Sequence, residues 1–108
     1  MALKSWSIAG FPTASPSDEV SSELIDSSTT TVIVLSLLVS NNSEEAEANV
    51  KVERADSDDI VKFSFPLTIA IGNSPVAIDS KMVFAGGDKL VVTSDNPDVS
   101  VDASGDES

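Results

Sequence analysis

The chain has 108 residues, the size of one domain, and sets 18 Asp and Glu against 6 Lys and Arg for a formal net charge of −12. Such a surface repels nucleic acid, whose binding needs cations to displace phosphate counterions, and disfavours anionic lipid headgroups. Cys, His and Tyr are absent, which excludes disulfides, thiol chemistry, an imidazole base and the commonest transition-metal ligand.

Met1 to Gly10 (MALKSWSIAG) holds one lysine and no apolar run long enough for a signal peptide, so synthesis and use without secretory export are expected. Residues 1–25 read as an N-terminal arm or edge segment. Pro12, Pro16 and neighbouring serines separate one apolar group (Leu3, Trp6, Ile8, Phe11) from a second (Val20, Leu24, Ile25). Two readings stand side by side here. Leu3 to Ile8 is either an edge strand with Trp6 and Ile8 buried, or an arm docking on a neighbouring subunit. In the second case Leu3, Trp6, Ile8 and Phe11 make the contact and Trp6 anchors it, since buried aromatics dominate interface energies.

Residues 26–104 read as an antiparallel β-sandwich. TVIVLSLLVS (31–40) is the greasiest stretch of the chain. It is far short of the ~20 apolar residues that span a bilayer. Its β-branched Val32, Ile33, Val34 and Val39 favour a strand, predicted to be central and buried on both faces for much of its length, with Ser36 its one polar interruption. SEEAEAN (43–49) follows as an acidic loop. Ala48, Val50 and Val52 then alternate with polar residues, the period-two mark of a half-buried strand. Val61, Phe63 and Phe65 do the same until Pro66, which should interrupt or bend the ladder because it has no N–H. Leu67, Ile69 and Ile71 resume the pattern as far as the turn Gly72-Asn73-Ser74-Pro75.

Short strands over Val76 to Ile78 and Lys81 to Phe84 flank Asp79-Ser80. Gly86-Gly87-Asp88 turns the chain into Leu90 to Thr93, and Asp95-Asn96-Pro97-Asp98 into the alternation of Val99, Val101 and Ala103. Many short strands separated by turns imply an all-β sandwich or jelly roll. Residues 105–108 read as a disordered acidic tail, part of the polar run DASGDES.

No catalytic residues can be named. A nucleophilic serine needs a base, and Lys4, Lys51, Lys62, Lys81 and Lys89 fall at strand positions where lysine stays solvated and charged. Asp58 and Asp59 are neighbours in a turn, where both stay ionised. Gly86-Gly87 lacks the lysine of a phosphate loop. Calcium is the one cofactor with candidate ligands, in Asp56, Asp58 and Asp59 and in Asp95, Asp98 and Asp102, but neither spacing is that of an EF-hand. The chain reads as a non-enzyme without a cofactor.

LSLLVSN (35–41), ANVKVE (48–53), KMVFAGGDKLVVTS (81–94) and PDVSVDAS (97–104) together resemble the small all-β accessory proteins of tailed bacteriophage virions, those that decorate or cement the capsid. The resemblance covers about residues 30–104. It implies a homotrimer on the outer capsid surface, made in the host cytoplasm, that clamps neighbouring major capsid subunits. It implies no catalytic residue, and neither nucleic acid nor membrane as partner. The alternatives are a phage neck, tail or fibre attachment protein, or a soluble immunoglobulin-like module binding through loops 41–47, 54–59, 72–75 and 94–98.

Overall fold

The computed structural model describes residues 2–71, 75–79 and 81–108. Nine strands follow in order: β1 (Ala2–Ile8), β2 (Val20–Asp26), β3 (Val32–Asn41), β4 (Ala48–Ala55), β5 (Val61–Ile69), β6 (Val76–Ile78), β7 (Met82–Phe84), β8 (Lys89–Ser94) and β9 (Val99–Glu107). The turn read at Gly72-Asn73-Ser74 and the residue Ser80 lie outside the described residues, as does Met1. No helix among the described residues is long and apolar enough to cross a membrane.

Pairing starts locally. Asp59 N–H donates to the Asp56 carbonyl at 3.0 Å, and the Asp56 carboxylate accepts the N–H groups of Asp58 and Ile60. Asp59 takes φ +62°, a left-handed conformation that Asp tolerates better than most residues. This turn makes β4–β5 the innermost hairpin. Outward from it β3 pairs with β6 and β7, β2 with β8 and β1 with β9, all antiparallel, so the partners nest along one long ribbon. Two further pairings, β3 with β9 and β4 with β8, fold the ribbon over a core. The sheets are β1-β9-β3-β6, with β7 also on β3, and β2-β8-β4-β5. Counting β6 and β7 as one interrupted strand gives eight strands in two antiparallel sheets. The fold is a jelly roll.

Period-two alternation sends Val32, Val34, Leu37 and Val39 of β3 inward against Val50 and Val52 of β4, Leu90 and Val92 of β8 and Val99 and Val101 of β9. Among the described residues Phe11 and Phe84 are the two largest wholly buried side chains. Asn41 ends β3 inside the core. Its amide N–H groups reach the carbonyls of Ala46 (2.9 Å) and Ile69 (3.2 Å), while its oxygen accepts the Ser43 N–H. Asn96 donates to the same Ala46 carbonyl, so two buried amides tie the β3–β4 loop to its neighbours.

Several expectations need correction. β3 is central but not buried on both faces: Ile33 and Leu38 are half-buried and Leu35 is exposed, because only one side of a sandwich sheet meets the core. Leu35, just before Ser36, is the unpaired residue of a bulge against β9. Pro66 does not break β5. It lies opposite Lys51 on an edge strand, where a missing N–H leaves one ladder intact. The segment 1–25 is not set apart from the sandwich, since β1 and β2 give one strand to each sheet. Residues 105–107 are not a disordered tail either. β9 pairs with β1 and β3 up to Glu107, and Ser108 N–H donates to the Thr31 carbonyl at 3.0 Å.

Candidate interaction surfaces

A cluster of charged side chains gathers at the hairpin end. Gly86 and Gly87 adopt φ +69° and +92° and turn β7 into β8, which tucks Asp88 under the sandwich. Its Oδ2 accepts Arg54 Nε (3.1 Å) and Nη2 (2.8 Å), and its Oδ1 accepts Lys62 Nζ (3.3 Å). The same Arg54 guanidinium lies over the Phe84 ring, 4.7 Å from its centroid. Sequence reading missed this residue, although Arg54 shares the parity of the inward Val50 and Val52. Every oxygen and cation here is matched to a partner, so the cluster locks β4, β5 and the β7–β8 turn together.

The Arg54 hydrogen bonds hold the Asp88 carboxyl below its usual 3.8, with Lys62 assisting and burial opposing. A depressed carboxyl pKa contributes stability that is present above 3.8 and lost as pH falls through the folded value. Asp88→Asn should therefore lower the urea midpoint at pH 7, and its deficit against the parent chain should shrink below pH 3.8. Urea titrations across that range check this; a deficit independent of pH would refute the carboxylate's role.

The four residues predicted to make intersubunit contact divide. Phe11 and Ile8 are core, and Trp6 is half-buried against it, so none of these three offers a whole side chain to a neighbour. Leu3 alone projects, 87% exposed. With Leu35 of β3 and Ser104 of β9 it lines a shallow depression on the outer face of the first sheet.

The grouped aspartates do not converge. Asp56 caps its own turn, Asp59 pairs with Lys89 at 2.9 Å, and Asp95 accepts the N–H and side-chain amide of Asn49. Among the described residues no three acidic groups come together as a metal would require.

A second apolar region escaped sequence reading. Of seven large apolar side chains exposed among the described residues, Ile60, Val61, Phe63, Ile71 and Val83 fall within residues 60–83. That stretch supplies β5, β6 and β7, the free edges on one side of the sandwich. From 60 to 85 it holds two lysines and one aspartate, so seventeen of the eighteen carboxylates lie elsewhere in the chain.

No family model matches the chain, and no curated protein matches it. Among solved structures it is similar to a chain of the infectious bursal disease virus Gx strain, at 11% identity with a TM-score of 0.43, covering 96% of this chain and 33% of that one. It is also similar to a chain of the T13 particle of the same virus, at 12% identity and a TM-score of 0.45, over 94% and 31%. The chain thus spans about a third of the length of those chains. Its fold is defined by its own strand order.

Proposed function

We propose that the chain is a structural virion protein that decorates and stabilises a tailed-phage capsid as a homotrimer, bridging neighbouring major capsid subunits on the outer surface. The observation that carries this reading is the distribution of its surface: large apolar side chains cluster in two places on an otherwise acidic exterior. Side chains of that kind serve contact with other proteins. Leu3 and Leu35 offer the shell an apolar foothold on the outer sheet face. The acidic remainder keeps the molecule soluble. Many weak copies on one lattice would add avidity without a tight single contact.

Immunogold electron microscopy on particles grown from the genome that encodes this chain tests the reading. Gold spread over the particle heads is the expected result, weakened when Leu3→Asp replaces the parent chain. Gold confined to the neck or tail would transfer the protein to an attachment role, and bare particles would overturn a virion role.

A further inference from the structure

The sandwich is closed along one side and open along the other. Where β1 and β2 approach each other, Ile8, Leu24 and Ile25 are buried. Between β5 and β6–β7 the inward-facing side chains are only partly covered: Phe65, Leu67, Ile78 and Met82 are half-buried and Phe63 is 38% exposed. The Phe63 and Phe65 rings stack with centroids 5.9 Å apart along this seam. Residues that point toward a core yet stay in water mark a core that is incomplete in one molecule alone.

We propose that this seam is a contact between copies of this chain, the β5 edge of one lying against the β6–β7 edge of the next. The inference builds on the self-assembly part of the proposed function and names the face that closes the ring. Charge selects the occupant. A molecule of net charge −12 cannot press most of its surface against its own copy without opposing carboxylates, and the stretch 60–85 holds one carboxylate against two lysines. The area is adequate as well. An edge of nine residues runs about 30 Å on a molecule 20 Å thick. That gives a face of roughly 600 Å² per copy, and three such faces meeting around one axis bury about 1,800 Å² in the closed trimer, a standard size for a specific assembly. Pro66 removes an N–H from the β5 edge, which weighs against a continuous backbone ladder between copies and in favour of side-chain contact.

Size exclusion with light scattering on the purified full chain, at low and high ionic strength, tests this. The parent chain should show three times its 11.2 kDa mass, and added salt should strengthen assembly by screening the net charge. The double variant Phe63→Asp/Met82→Gln, on inward-facing positions of the two seam edges, should run as a single chain with unchanged circular dichroism, its association weakened by about 100-fold or more. Phe63 is 38% exposed and Met82 half-buried, and the circular dichroism reports that the fold survives both changes. A parent of single-chain mass under all conditions, or a double variant that still assembles, would overturn the seam. Assembly lost with Leu3→Asp and kept with the double variant would move the contact to β1 and overturn it too. A dimer dissolved by the double variant would keep the seam and overturn the trimer.

Discussion

Phe11→Ala is expected to lower stability by about 3–5 kcal/mol, the cost of removing a large aromatic from a packed core. The ring is wholly buried, with Phe84 one of the two largest side chains in the interior. Its backbone is fixed as well: Phe11 N–H donates to the Pro97 carbonyl at 3.1 Å, and the Phe11 carbonyl accepts the Ala14 N–H at 2.9 Å. A domain this size has ~5–15 kcal/mol in hand, so the variant would be marginal at 25 °C. Leu3→Ala, eight residues upstream and exposed, should stay within about 0.5 kcal/mol of the parent. Urea unfolding of both variants decides between arm and core. Were residues 1–12 an arm held only by a neighbour, Phe11→Ala would leave the isolated chain as stable as before. Deleting residues 1–12 should unfold the sandwich, since it removes β1 and the Phe11 ring together.

The sequence disclosed the strands whose alternation is unbroken and concealed those where geometry intervenes. β4 and β9 were legible because each has one wet face and one dry one, as were the apolar strands β3 and β8. β2 was not, because its register shifts between Glu23 and Ile25. The bulge buries both Leu24 and Ile25 and erases the period of two. The end of β9 looked like a tail for a related reason: its inward positions are Ala103 and Gly105, too small to register as a hydrophobic face, while Asp102 and Ser104 point outward. The seam was hidden in a different way. Phe63, Phe65 and Leu67 alternate as any half-buried strand does, and no local signal reports whether a second sheet covers them. Only the strand order shows that β5 and β6–β7 are edges on the same side.

The second large effect should come from the end of β9, which reads as a tail in the sequence. Gly105 lies opposite Val34 at the β3 bulge and opposite Lys4 of β1. A Cβ at this position would run into the Ile33 carbonyl oxygen and stand 3.0 Å from Val34 Cα. Both obstacles are backbone, so no rotamer change relieves them, and Gly105→Ala must push β9 off β3. Overpacking of this kind costs about 1–3 kcal/mol, and a backbone obstacle belongs at the upper end. The Ser108 N–H bond to the Thr31 carbonyl lies beyond the clash and should open with it, seen as faster hydrogen exchange at that amide. Ser104→Ala, on the exposed face one residue earlier, is the control and should change stability by less than about 0.5 kcal/mol. The sign of the Gly105 effect is decisive. In an unpaired tail, alanine for glycine would be neutral or slightly stabilising, because it narrows the unfolded ensemble with nothing to strike in the folded state. In a strand pressed between β1 and β3 it must destabilise.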